Sequence, residues 1–99
     1  MDGRFVNDAA AERLGRNVFM ARRRAGFSQE ALAALASLHR TEIGMIENGE
    51  RLPRVDTLIK IATALAVCLE ELVAGIVWII PAPARSGSFA VQGGATDAR

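Results

Sequence analysis

The stretch AGFSQEALAALASLHRTEIGMIENG, residues 25–49, decides the fold. Ser28 is a good N-cap, because its side-chain oxygen can accept a hydrogen bond from a free backbone N–H in the first turn of a helix. We predict one helix over 29–35 and a second over 39–47, which an Asn-Gly pair ends. Only residues 36–38 separate the two helices, which is too short for a loop between independent elements. The stretch therefore predicts two short helices joined by a tight turn at a steep angle.

Three more helices are predicted around this pair, so the chain is expected to be all-α. Apolar residues at spacings of three and four predict a first helix over 9–24. The same spacing predicts a fourth helix over 55–65 and a short fifth helix over 69–73. Residues 1–8 are expected to be a frayed lead-in. Five helices on one small core make a single domain over 9–75.

The pattern changes after the fifth helix, and residues 76–91 form a β-prone tail. A run of bulky apolar residues, 76–80, is ended by a proline, and 88–91 can form a second short strand. Because so small a core covers only one face of a strand, we favour a homodimer made by this tail. The expected interface residues are Ile76, Trp78, Ile80 and Phe89. In the alternative, the tail folds back on itself as a hairpin, which in isolation is marginally stable in water. Residues 92–99 are predicted to be a disordered C-terminus.

The helix predicted over 39–47 has an apolar side and a polar side. Its inward residues, Ile43 and Ile46, are apolar, so a core can hold it. The other positions make a narrow polar face with a glycine at its centre; they are His39, Arg40, Thr41, Glu42, Gly44 and Met45. The major groove of B-DNA admits one α-helix, and an arginine can fork onto guanine or a phosphate there. A threonine methyl suits thymine, whereas methionine offers only apolar contact.

Two residues of this face have more than one interpretation. Glu42 can accept a hydrogen bond from cytosine, or it can close the helix cap at His39. His39 itself is expected at the cap or on a phosphate rather than on a metal, since no second histidine and no nearby cysteine could share an ion. Four arginines outside the face can contact phosphates, and the residues do not rank them; they are Arg16, Arg23, Arg51 and Arg54.

Several motifs at fixed spacing together resemble the Cro/lambda-repressor-like (XRE) DNA-binding family. The motifs are AGFSQEALA at 25–33, Ile43, IENG at 46–49, Arg51, Pro53, and the segments 56–58 and 69–72. The resemblance covers roughly residues 12–75 and implies a five-helix lambda-repressor-like helix-turn-helix domain.

The resemblance also implies roles for particular residues. It assigns base contacts to Arg40, Thr41 and Met45, and a phosphate contact at the start of the second helix to Gln29. It further implies a structural ion pair between Arg22 and Glu47, which would lock the reading helix to the scaffold.

Double-stranded DNA is therefore the expected partner, and the expected function is that of a sequence-specific transcriptional regulator. We expect a repressor that acts as a homodimer on a near-palindromic operator. The alternative is an antitoxin-like or adaptor module that uses the C-terminal tail to grip a protein partner.

Composition and charge argue against other classes of protein. No apolar run reaches the roughly 18 residues of a membrane span, and the N-terminus lacks the apolar segment of a signal peptide, so a cytoplasmic protein is expected. The single cysteine excludes a disulfide framework and a cysteine-built metal site, and we expect neither a metal nor a cofactor. No paired carboxylates, nucleophile–base arrangement or glycine-rich phosphate loop points to an enzyme. The net charge of +1 is too small to indicate nucleic acid by itself.

Overall fold

The helices of the chain begin and end within a residue or two of the predicted positions, with one exception at the N-terminus. The computed structural model describes residues 4–83 and 86–92. The elements in chain order are α1 (Arg4–Ala25), α2 (Gln29–Ala36), α3 (Arg40–Glu47), α4 (Val55–Leu65), α5 (Leu69–Leu72), β1 (Ile76–Ile79) and β2 (Ser88–Val91). The predicted fold class, five helices followed by a short β element, is confirmed.

The exception is α1, which begins at Arg4 rather than at Ala9. The expectation of a frayed lead-in is therefore wrong for residues 4–8, while residues 1–3 lie outside the described part of the chain. Residues 9–11 are alanines, the strongest helix formers, and neither proline nor glycine stands between them and Arg4. The helix can therefore extend back from the alanines.

One apolar core joins all five helices. Its fully enclosed large side chains come from α1 to α5; they are Val18, Leu32, Ile43, Ile46, Ile61 and Leu72. A helix as short as α2 or α3 is unstable alone in water, so it depends on this packing. The inward placement predicted for Ile43 and Ile46 is confirmed, because both are 0% exposed.

The turn between α2 and α3 contains a residue in a strained backbone conformation. Ser37 follows α2 with φ +56° and ψ +47°, the left-handed region that glycine adopts most easily. Ala66 ends α4 in the same way, with φ +58°. The cap at the start of α2 is the predicted one, since the Ala31 N–H donates to Ser28 Oγ at 3.0 Å.

A close approach between α1 and α3 depends on Gly15, which the sequence analysis did not single out. A Cβ on this residue would collide with the carbonyl oxygen of Ile46 and lie 2.8 Å from that of Glu47. Both are backbone atoms, which cannot rotate away. Glycine at this position therefore lets α1 pack directly against the C-terminal end of α3.

The tail folds back on itself as an antiparallel hairpin, which is the alternative that the sequence analysis did not favour. Ile76 is opposite Val91 and Trp78 is opposite Phe89. The Trp78 and Phe89 rings meet edge to face, with their centroids 5.0 Å apart. Of the four expected interface residues, Ile76 is half-buried against the chain's own core, and the other three are exposed.

The end of the tail is only partly described. The Gln92 N–H donates to the Gly75 carbonyl at 2.7 Å, which continues the hairpin by one pair. Gln92 therefore does not belong to the predicted disordered segment, whose other residues, 93–99, lie outside the described part. Among the described helices, none has the length and apolarity that crossing a membrane requires.

Candidate nucleic-acid interface

The outward side of α3 faces solvent. Ile43 and Ile46 hold the inner side in the core, and on the other side Arg40 and Thr41 are exposed. Met45, one turn later, is half-buried. The helix thus presents an arginine, a hydroxyl and a thioether on a surface that the core holds rigidly. These groups can make the hydrogen bonds and apolar contacts by which a helix reads base edges.

The centre of this surface is Gly44, and packing within the chain does not explain it. A Cβ built on Gly44 would meet only Gln29 Oε1, at 4.0 Å, which is an ordinary contact. A glycine inside a helix costs about 1 kcal/mol relative to alanine. The chain therefore accepts that cost at a position where its own fold has room for a methyl group. The effect is a shallow depression that lets atoms of another molecule approach the α3 backbone.

A buried ion pair anchors the C-terminal end of α3 to α1. Arg22 Nε donates to Glu47 Oε2 at 2.6 Å, and Arg22 Nη2 donates to Glu47 Oε1 at 3.0 Å. Arg22 Nη1 donates to the Phe27 carbonyl at 2.8 Å, so the guanidinium also holds the start of the α1–α2 connection. The two side chains are 8% and 4% exposed. This two-pronged contact fixes both the distance and the orientation of α3.

Gln29 belongs to the same network, which residue spacing alone did not indicate. Its Nε2 donates to Glu47 Oε1 at 3.0 Å, so the side chain links the first residue of α2 to the last residue of α3. The resemblance assigned this residue to a phosphate. In the structure its amide nitrogen is held by Glu47, and the side chain is half-buried. Any phosphate contact from Gln29 must therefore use its backbone N–H or accompany this hydrogen bond.

A polar cleft lies beside the start of α2. It has a volume of about 330 Å³ and is lined by Arg22, Ser28, Gln29, Glu30 and Arg40. The N-terminus of a helix carries free N–H groups and a partial positive charge, which favour an anion. Arg40 adds a full positive charge at the same place. An anion in this cleft would lie next to the outward face of α3, where Arg40 would attract it and Glu30 would oppose it.

Glu42 does not close the helix cap at His39, which was one of the two interpretations of this residue. His39 is the N-cap residue, but its side chain makes no capping hydrogen bond. The Glu42 carboxylate faces Arg51, with 3.8 Å between Oε2 and Nη2, rather than the cap at His39. Arg51 is half exposed and lies in the turn that follows α3. In the described residues, no group of three or more His, Cys, Asp or Glu side chains could hold a metal ion.

A second cleft, between α1 and the end of α3, was not anticipated as a unit. It has a volume of about 410 Å³ and is lined by Glu12, Arg16, Phe19, Glu47 and Asn48. The guanidinium groups of Arg22 and Arg23 lie over the Phe19 ring, 5.4 and 5.5 Å from its centroid. Of the four arginines considered for phosphate contacts, Arg16 lines this cleft. Arg54 instead pairs with Asp56, with 3.0 Å between the charged atoms.

The chain matches known helix-turn-helix proteins in sequence and in structure. The helix-turn-helix family model HTH_3 matches residues 19–72, which is more than half of the chain. Control protein C.SmaI of Serratia marcescens is 43% identical over 61 residues, covering 62% of this chain and 73% of that protein.

Solved structures agree with this match. The restriction-modification controller protein C.AhdI of Aeromonas hydrophila is 35% identical, with a TM-score of 0.61, over 63% of this chain and 94% of that one. The P22 c2 repressor, solved with a synthetic operator, has a TM-score of 0.59 over 63% of this chain and 94% of that one, and at 22% identity it supports the fold alone. The family match covers all of α2 to α5, including the exposed face of α3 and the network that anchors it. The chain therefore belongs to the HTH_3 helix-turn-helix family and is a DNA-binding transcription regulator.

Proposed function

We propose that this regulator is a repressor that binds a near-palindromic operator as a homodimer, with α3 of each copy in the major groove. The observation that carries the proposal is the exposed face of α3, with Gly44 at its centre and a buried ion pair at its end. A small rigid helix with a bare centre fits a groove more closely than a helix covered by side chains. A DNA-binding regulator shares a compartment with DNA, so we propose that the protein is cytoplasmic. We propose no catalytic activity for it.

Individual contacts follow from chemistry and position. Arg40 is exposed at the first turn of α3, where a guanidinium can donate two hydrogen bonds to guanine O6 and N7. Thr41 offers a methyl group to thymine, and Met45 makes apolar contact with a base edge or sugar. His39, Arg51 and the N–H groups at the start of α2 face the phosphates on either side. Phosphate contacts set the register, and the base contacts select the sequence.

The named relatives support a regulator that works through a small domain. One is called a control protein and another a restriction-modification controller protein. By this similarity we propose that the present chain controls transcription in the same manner, and that its operator lies beside genes of a restriction-modification system. The proposed genomic context is separate from the proposed mode of binding. If the selected site lies elsewhere in the genome, only the proposal about the restriction-modification genes is wrong.

A homodimer gives the operator its symmetry. Two copies related by a two-fold axis would present two α3 helices about one turn of DNA apart, roughly 34 Å, and would read two inverted half-sites. Exposed apolar residues in the hairpin, Trp78, Ile80 and Phe89, offer a surface for this association. Without a dimer, a single α3 would read too few base pairs to be selective.

Selection of bound duplexes from a random pool tests the proposal. We expect an inverted repeat to be enriched, and the affinity for it to fall steeply as salt rises, because phosphate binding releases counterions. Arg40→Ala should relax the choice at one base position per half-site by about 1–3 kcal/mol. Lys60→Ala removes an exposed positive charge from α4 and serves as the matched control, with unchanged base preference. If Arg40→Ala weakens binding equally on all sequences, Arg40 contacts the backbone and not a base.

A further inference from the structure

The hairpin extends away from the helical domain and becomes more exposed along β1. Ile76 and Val77 are half-buried, whereas Trp78 is 52% exposed and Ile80, just beyond the strand, is 79% exposed. The two faces of the hairpin both carry exposed apolar side chains at this end, since Trp78 and Phe89 share one face and Ile79 belongs to the other. The outer half of the hairpin is therefore an apolar arm, and few of the described residues surround its side chains.

One edge of this arm has backbone groups that no described strand uses. β2 is flanked by α1 and by β1, and the sheet has only these two strands in the described residues. The hydrogen bond from the Gln92 N–H to the Gly75 carbonyl makes that pair a hydrogen-bonded one. Because such pairs alternate along an antiparallel ladder, the backbone groups of Val77 and Ile79 point toward β2. Those of Trp78 and Ile80 then point away from it.

The short distance between the Trp78 and Phe89 rings supports this assignment of the hydrogen-bonded and non-hydrogen-bonded pairs. Side chains of a pair that is not hydrogen-bonded lie closer together than those of a hydrogen-bonded pair. Trp78 and Phe89 are opposite each other, and their ring centroids are 5.0 Å apart. The free edge of β1 therefore presents the N–H and C=O of Trp78 together with those of Ile80.

The sequence does not protect this edge as monomeric proteins protect theirs. Edge strands are ordinarily blocked by a charged residue, a proline or a bulge. No charged residue occurs from position 72 to position 84, and the first proline is Pro81, after the strand. An apolar edge strand without a charge or a proline is a template for another strand.

We propose that the free edge of β1 pairs antiparallel with β1 of a second copy, so that the two hairpins form one four-stranded sheet across the dimer. The proposal rests on the proposed function for its two-fold symmetry and specifies the surface that makes the dimer. A second copy is the occupant because an antiparallel pair of identical strands has the two-fold symmetry that the proposed operator requires, and like charges beside that axis would oppose the pairing. The uncharged segment avoids that repulsion, and antiparallel pairing of a strand with itself satisfies both edges at once.

The pairing with the longest overlap centres on Trp78. Trp78 of one copy would then exchange both backbone hydrogen bonds with the partner's Trp78, and the Ile80 N–H would donate to the partner's Ile76 carbonyl. The Ile76 N–H is already used, since it donates to the Val73 carbonyl at 3.1 Å. α1 packs against both β2 and α3, while Arg40 and Thr41 on the outward face of α3 remain exposed.

The first test uses self-association of the full chain. Trp78 is the sole tryptophan, so its fluorescence emission reports directly on the proposed contact. We expect the emission to shift to shorter wavelength as concentration rises, in parallel with dimer formation in sedimentation velocity. Ile80→Lys should weaken dimerisation about tenfold or more, because a lysine on an edge strand blocks pairing and its charge would lie opposite the apolar Ile76 of the partner copy. Ile59→Lys places the same charge on an exposed apolar residue of α4 and should change the dimerisation constant less than about twofold.

The second test needs no variant. Amide hydrogen exchange measured by NMR should show the Val77 and Ile79 amides protected at all concentrations, because they donate within the hairpin. The Trp78 and Ile80 amides should become protected only where the dimer forms. Dimerisation without this protection would overturn edge pairing, as would a dimer that Ile59→Lys dissociates and Ile80→Lys does not. A chain that stays monomeric at high concentration would also overturn it.

Duplex binding separates failure of this inference from failure of the proposed function. The Ile80→Lys protein should still bind a single half-site duplex with the base preference of the unmodified chain. If that binding is intact while edge pairing is absent, only the inference is wrong. If the chain dimerises through β1 and binds no duplex, the inference stands as a description of the dimer and the proposed function is wrong.

Discussion

Replacing Arg22 with alanine is the perturbation whose effect the structure predicts most fully. The guanidinium makes two hydrogen bonds to Glu47 and one to the Phe27 carbonyl, at 2.6, 3.0 and 2.8 Å. After the substitution, the Glu47 carboxylate would remain enclosed with one described donor, Nε2 of Gln29. The main cost is therefore a buried charge without its partner, and not the loss of one contact.

The magnitude is large compared with the stability of a chain of this size. Removing one partner of a buried pair costs about 3–5 kcal/mol, whereas the whole free energy of unfolding of a small domain is about 5–15 kcal/mol. Each kcal/mol lowers the melting temperature of a domain of this length by about 4–8 °C. Arg22→Ala should therefore melt at least about 12 °C below the unmodified chain, by far-UV circular dichroism at one fixed protein concentration.

A matched control lies on the same helix. Arg24 also pairs with a glutamate, Glu71, but that pair is exposed, with side chains 58% and 41% accessible. Exposed pairs contribute about 0–1 kcal/mol, so Arg24→Ala should melt within a few degrees of the unmodified chain. Removing Glu47 together with Arg22 should cost less than the sum of the single changes, since neither charge is then left alone. An Arg22→Ala protein as stable as Arg24→Ala, or strict additivity in the double variant, would refute the reasoning.

Three further substitutions have effects that differ in sign. Gly44→Ala should raise the free energy of unfolding by about 0.5–1 kcal/mol, because the fold has room for the methyl group. The same substitution should weaken operator binding about tenfold in fluorescence anisotropy, because the methyl group fills the depression on α3. Unchanged or tighter binding would remove the role given to Gly44. Gly15→Ala should lower the free energy of unfolding by about 1–3 kcal/mol in urea denaturation, because the new Cβ collides with backbone carbonyls at the end of α3. A stabilised protein would contradict that packing. Ser37→Gly should raise the free energy of unfolding by about 0.5–1 kcal/mol, because glycine adopts the positive φ of this position without strain. A loss of stability in the same assay would show that the turn is unstrained.

The helices could be predicted because their signals are local. Ser28 caps α2 with its own side chain, and Gly26 adopts the left-handed conformation that ends α1, with φ +80°. Such features depend on a few neighbouring residues, so a pattern along the chain is enough. The inward placement of Ile43 and Ile46 likewise follows from helical spacing alone.

What could not be predicted depends on residues far apart in the chain. The need for Gly15 arises from the carbonyls of α3, some thirty residues later, and nothing near position 15 indicates it. The hydrogen bond from Gln29 to Glu47 similarly joins two helices whose relative angle is set by the core. The tail was ambiguous for an energetic reason: pairing within the chain and pairing between chains satisfy the same strands. α1 lies beside β2, and this packing supports a hairpin that would be marginal alone.

We propose that the outward face of α3 is the surface that enters DNA. The most direct measurement is an NMR titration of the isotope-labelled chain with its selected operator duplex at low salt, following each backbone amide. We expect the largest shifts on Arg40 to Met45, with smaller ones at the start of α2 and around Arg51. Shifts concentrated on β1 and β2, with α3 unchanged, would contradict it.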